Sequence, residues 1–109
     1  MPAHDPLSRR HVVPAAVQHP GKVLRQQLEA IGVSPTELAR QLHVPPNRIT
    51  QIVNGQRSIT GDSALRLAHW FGNKPEFWMN LQSQYEIAIA KSESGCAINA
   101  LPTQSGPLA

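Results

Sequence analysis

The sequence predicts an all-α protein built around five helices. Between residues 21 and 92, apolar residues recur at the three- and four-residue spacing of a buried helical stripe. Glycines, prolines and capping residues divide that stretch into five segments. A chain of 109 residues with 16% charged residues suits one small domain. Residues 1–20, which hold four of the ten prolines, predict a Pro-rich flexible arm, and residues 93–109 predict a flexible tail.

The first two helices have clear boundaries. Helix 1 starts at the turn of residues 19–21 and ends at Gly32, which suits a left-handed C-terminal position. In helix 2, Ser34 and Glu37 have the spacing of a capping box. The predicted buried positions are Leu24, Leu28 and Ile31 in helix 1, and Leu38, Ala39 and Leu42 in helix 2.

Three more helices follow in the same way. Helix 3 spans about residues 46–54 and stops at Gly55. Thr60 can cap helix 4, which Gly72 ends, and Pro75 starts a long helix 5. The predicted inward positions are Ile49, Ile52 and Val53 in helix 3, and Ala64, Leu65, Ala68 and Phe71 in helix 4.

Helices 2 and 3 are short and separated by about three residues, which predicts a DNA-binding helix-turn-helix. Ala39 is small enough for two helices to cross closely, and Val44 fills the turn. Side chains suited to base edges occupy the outward face of helix 3, and neighbouring ones suit phosphates. We expect base contacts from Asn47, Arg48, Thr50 and Gln51, and backbone contacts from Arg40, Asn54, Arg57 and Ser58.

The charge distribution favours this interpretation over an ordinary solvated helix face. No Asp or Glu occurs from residue 38 to residue 61, whereas three arginines lie there, equal to the net charge of +3 of the whole chain. A polar outer face alone is common on amphipathic helices, so the bland alternative stays open for helix 3 taken by itself.

Helix 5 predicts a dimer interface. All five aromatic residues lie between residues 70 and 85, and helix 5 carries two apolar stripes where one would complete a core. We expect Phe77, Trp78, Tyr85 and Ile87 to contact a second copy, which would place two reading helices on an inverted repeat. The alternative is that every aromatic residue belongs to the intramolecular core.

Other classes of function find little support. The five histidines show no metal-ligand spacing, and Cys96 has no neighbouring base, so we expect neither an enzyme nor a metal or other cofactor. One cysteine, no signal peptide and no long apolar run predict a cytoplasmic protein without membrane contact.

Four runs carry a family resemblance: residues 19–25 (HPGKVLR), 44–49 (VPPNRI), 54–60 (NGQRSIT) and 75–82 (PEFWMNLQ). They resemble the HigA family of antitoxins, a branch of the Xre/Cro-like helix-turn-helix proteins related to phage repressors. The likeness covers residues 19–93, and its most specific part is the last of the four runs. Three residues depart from the family pattern: His43, Pro45 and Lys74. These departures affect the expected local stability more than the expected fold.

The resemblance implies a five-helix, lambda-repressor-like homodimer that binds an operator in its own promoter. It also implies a partner, a HigB-like toxin of the RelE-like, mRNA-cleaving kind, which the protein would neutralise. The alternative is a stand-alone dimeric repressor without a toxin. An adjacent small basic reading frame would favour the antitoxin.

Overall fold

The computed structural model describes residues 17–105 and confirms the all-α fold of five helices. Within that range no strand is present. The helices are α1 (Pro20–Ile31), α2 (Pro35–Leu42), α3 (Pro46–Val53), α4 (Gly61–Phe71) and α5 (Pro75–Asn99). Most of the predicted arm lies outside the described residues.

Local capping chemistry sets the helix boundaries as predicted. The Ser34 hydroxyl accepts a hydrogen bond from the Glu37 amide at 3.1 Å, and the Thr60 hydroxyl accepts one from the Ser63 amide at 3.3 Å. Gly32 and Gly72 end α1 and α4 in the left-handed conformation. His43 ends α2 with φ 58°, so a side chain occupies a position that favours glycine.

One buried cluster joins all five helices and the loop before α4. Its members are Leu24, Leu28, Leu38, Ala39, Leu42, Ile49, Ile52, Val53, Ile59, Ala64, Leu67, Ala68 and Trp78. The prediction of an inward position was wrong for two residues. Ile31 is 54% exposed because α1 passes the edge of the core there, and Leu65 is 62% exposed because Ala64 and Leu67 define the inner face of α4.

The last helix is longer than predicted. It continues to Asn99, so residues 93–99 of the expected tail are helical. Ser92, Ser94 and Gly95 weaken a helix without breaking it, and no proline interrupts the chain before Pro102. The predicted boundary after residue 92 therefore falls inside α5.

A close contact at Gly21 fixes how α1 meets α3. A Cβ added at Gly21 would lie 2.8 Å from the Ile52 carbonyl carbon and would overlap the carbonyl oxygen. Only glycine allows the first turn of α1 to approach the last turn of α3 this closely. This contact is the physical reason for glycine after Pro20.

We expect Gly21→Ala to destabilise the protein by about 1–3 kcal/mol, because the added methyl group must push α1 away from α3. Gly95→Ala is the matched control. A Cβ at Gly95 meets only the Lys91 Cβ at 3.9 Å, so alanine should stabilise α5 by roughly 0.5–1 kcal/mol. Urea unfolding of both variants measures the difference, and equal stabilities would contradict the close contact.

Candidate nucleic-acid interface

The outward face of α3 has the predicted composition. Ile49, Ile52 and Val53 are buried, and Asn47 and Asn54 on the opposite side are exposed. Arg48, Thr50 and Gln51 are half-buried beside them. Amide groups and guanidinium groups therefore share one surface that can pair with the edges of bases.

Contacts between side chains order this surface. Arg57 Nε donates a hydrogen bond to Gln51 Oε1 at 2.9 Å, so a residue predicted to bind phosphate holds one predicted to read bases. The Thr50 hydroxyl donates to the Pro46 carbonyl at 3.3 Å. Ser58 is exposed in the loop between α3 and α4, next to Arg57.

Arg25 is a functional candidate that the sequence did not reveal. Its Nη2 donates to Asn54 Oδ1 at 3.0 Å and to the Val53 carbonyl at 3.5 Å, at the end of α3. Cations stabilise the C-terminal end of a helix. Arg25 lies one turn after Gly21 and therefore on the same face of α1. The sequence shows this spacing, but only the packing of α1 on α3 shows which helix end that face meets.

An acidic residue reaches the edge of this surface. Asp62 follows directly after the stretch without acids, and its carboxylate binds Arg48 of α3 and Arg66 of α4. Hydrogen bonds from Arg66 and then Arg48 lower the pKa of Asp62. The predicted base-contacting residue Arg48 is thus engaged within the chain, with its side chain 27% exposed.

Arg40 also has an intramolecular partner. Its guanidinium binds Glu37 on the same helix, and hydrogen bonds from Arg40 and Gln41 lower the pKa of Glu37 to about 2. The Arg40 side chain is nevertheless 72% exposed. An exposed ion pair of this kind contributes little to stability. Arg40 can therefore exchange its Glu37 partner for another anion.

The predicted dimer interface needs one correction. Trp78 is completely buried inside the single chain, packed against Phe71 and Phe77, and its Nε1 donates to Asn73 Oδ1 at 3.1 Å. Because Trp78 fills the core between α4 and α5, it has no surface for a partner. Phe77 and Ile87 are exposed, and Tyr85 is half-buried.

Two polar residues tie the loop after α3 to the rest of the domain. Buried Gln82 accepts a hydrogen bond from the Ile59 amide at 2.8 Å. His19 accepts one from the Gly21 amide at 2.9 Å, contacts the Tyr85 ring edge-on at 4.9 Å and has a backbone hydrogen bond to Arg57. Burial lowers the pKa of His19.

Metal-ligating clusters were the other kind of site that the histidines could have formed. No three His, Cys, Asp or Glu side chains in the part of the chain that the structure describes lie close enough to hold a metal ion, and Cys96 is exposed. Two histidines, His4 and His11, lie outside the described residues. Among residues 17–105, no helix has the length and apolar character needed to cross a bilayer.

Comparisons with known proteins agree with this geometry. A family model described as helix-turn-helix (HTH_3) matches residues 24–78. Virulence-associated protein I of Dichelobacter nodosus is 45% identical over 76 residues, which are 69% of this chain and 70% of the relative.

Two solved structures are similar over nearly their whole length. An addiction module antidote protein of a HigA family from Coxiella burnetii is 47% identical, with a TM-score of 0.78 over 81% of this chain and 97% of that chain. Pseudomonas aeruginosa antitoxin HigA, solved with higBA promoter DNA, is 40% identical, with a TM-score of 0.76 over 79% and 96%.

The half-buried position of His19 predicts a loss of stability in mild acid. Its folded-state pKa lies below 6.5, so the unfolded chain binds the proton more readily. The contribution of His19 to the free energy of unfolding is therefore complete above pH 6.5, and it falls as the pH drops from there through the folded-state pKa. Thermal unfolding between pH 8 and pH 5 should show this fall in the wild type. In His19→Asn, which keeps a capping side chain, it should be smaller, and an identical pH dependence in both proteins would contradict the role of His19.

Proposed function

The chain belongs to the helix-turn-helix family HTH_3 and, within it, to the HigA antitoxins, and we propose that it represses transcription by binding operator DNA through α3. The observation that carries this proposal is the outward face of α3, where Asn47 and Gln51 stand on a helix whose opposite face is locked into the core. The promoter complex of the Pseudomonas aeruginosa relative supports it.

The proposed complex places α3 in the major groove. Asn47, Arg48, Thr50 and Gln51 would contact base edges, because amides pair with adenine and guanidinium groups with guanine. The phosphate contacts would come from the flanks of the same surface, and Arg25 joins the predicted set there. The backbone-contacting residues are Arg25, Arg40, Asn54, Arg57 and Ser58.

A second copy of the chain would complete the repressor. The exposed apolar residues Phe77 and Ile87 lie on α5, and the half-buried Tyr85 of the same helix packs against His19. A small core gains stability when two copies bury such residues against each other. Two α3 helices about 34 Å apart would then read an inverted repeat.

We also propose that the protein neutralises a HigB-like toxin of the mRNA-cleaving type, as its family membership suggests. The second candidate function, a stand-alone repressor, differs only in lacking this partner. The product of the neighbouring gene should co-purify with the full chain, and the full chain should relieve the growth inhibition that this product causes when both are produced together. Failure to co-purify would favour the stand-alone repressor.

The region before residue 19 is the proposed toxin-binding segment, since it carries Arg9 and Arg10 among prolines. Deleting residues 1–18 should lower the affinity for the neighbouring gene product while leaving operator binding in place. Calorimetry with the deleted and the full chain measures this difference, and an unchanged affinity would eliminate the segment.

We expect Gln51→Ala to weaken operator binding by about 1–3 kcal/mol, with little loss on random duplex, because it removes a base contact. Gln84→Ala, an exposed glutamine on α5, is the matched control and should bind like the wild type. Fluorescence anisotropy with the upstream DNA of the gene and with random DNA gives both affinities. Equal losses on the two duplexes would show that α3 is not the reading helix.

A further inference from the structure

A chain of charged contacts joins α2, α3 and α4 beside the proposed DNA surface. Asp62 Oδ2 accepts hydrogen bonds from Arg48 Nη1 at 2.5 Å and from Arg66 Nε at 2.9 Å. Arg66 Nη1 in turn donates to the Leu42 carbonyl at 2.8 Å, at the end of α2. One carboxylate thus organises two guanidinium groups across three helices.

The ion pair decides where the Arg48 side chain points. The Nε atom of Arg48 is shielded from solvent and has no hydrogen-bond partner, so this conformation leaves one donor unsatisfied. The ion pair with Asp62 is the contact that the guanidinium makes in this conformation. The guanidinium is therefore held at the edge of the α3 surface, and its charge is partly neutralised.

Holding the Arg48 guanidinium in place has different effects on phosphate contacts and on base contacts. A phosphate contact needs only a positive charge within reach, and the flexible side chain of an arginine can find such contacts on any sequence. A contact to a base edge needs a fixed geometry, which a tethered side chain supplies without further ordering. Tethering Arg48 consequently disfavours random DNA more than the operator.

We propose that Asp62 is a selectivity-determining positioning residue, which lowers the affinity for random DNA by holding Arg48 in its ion pair. This inference rests on the proposed function, because it concerns the ratio of operator binding to random binding. Asp62 acts through Arg48 and touches no base itself.

We expect Asp62→Asn to bind random duplex more tightly than the wild type, which a purely structural role of Asp62 would not produce. Releasing Arg48 adds about one phosphate contact, which steepens the slope of log affinity against log salt by about 0.9. At about 0.1 M salt this corresponds to roughly tenfold tighter binding of random duplex. Operator binding should rise less, so the selectivity ratio should fall.

The experiment is a double-mutant cycle with Asp62→Asn, Arg48→Gln and the double variant. Anisotropy titrations at several salt concentrations would use the upstream DNA of the gene and a random duplex of equal length. Glu76→Gln is the matched control, since it removes the same charge in the first turn of α5, beyond the other end of α4, a helix about 16 Å long at 1.5 Å per residue. We expect the gain on random DNA in Asp62→Asn, its loss in the double variant, and no such gain in Glu76→Gln.

Each outcome bears on the proposal. If the gain persists when Arg48 is absent, or if Glu76→Gln shows the same gain, the effect is general charge repulsion and the proposal is wrong. If the wild type prefers its operator but Asp62→Asn leaves the ratio unchanged, the proposal fails while the proposed function stands. If the wild type binds no DNA, both fail.

A second comparison does not depend on the stability of the Asp62 variant. In the wild-type background, Arg48→Gln should change the affinity for random DNA less than twofold, because its charge is already paired. Arg57→Gln removes the same charge from an exposed residue whose Nε binds the neutral amide of Gln51, and should weaken random binding several-fold. Equal losses in the two variants would overturn the proposal.

Discussion

The packing of α1 against the end of α3 is the constraint on which the proposed surface depends. Ile49 and Ile52 bury the inner face of α3, and α1 can cross there only because Gly21 has no side chain above the Ile52 carbonyl. Arg25 then satisfies carbonyl and amide oxygens at the end of α3. Since these contacts form within one chain, α3 presents its polar face in a defined orientation before any ligand arrives, which reduces the entropy lost on binding.

Hydrogen bonds within the chain order the side chains of the polar face. Gln51 is held by Arg57, Asn54 by Arg25 and Arg48 by Asp62. Under the proposed function, a DNA contact that pulls one of these side chains out of place would cost an internal contact, and a duplex with the wrong bases would offer no equivalent partner in return. Selectivity can therefore arise from competition within the protein as well as from attraction to the operator.

The sequence predicted the helix boundaries, which depend on neighbouring residues. It did not predict the contacts between distant residues, which depend on how the helices cross. Helix starts and ends followed from Ser34, Thr60 and the glycines because capping is local chemistry. Contacts over 14 and 23 positions, from Arg48 to Asp62 and from Ile59 to Gln82, require the fold. Trp78 was misplaced because spacing identifies an apolar face without saying whether another helix covers it. The base and phosphate contacts themselves stay predictions.

The central claim is that the outward face of α3 meets the DNA, and nuclear magnetic resonance of the ¹⁵N-labelled protein titrated with its upstream duplex tests it most directly. The account predicts that the side-chain amide signals of Asn47 and Gln51 shift strongly, together with the backbone amides of α3 and its following loop. Shifts confined to α5 around Phe77 and Ile87, with the α3 signals unchanged, would contradict it.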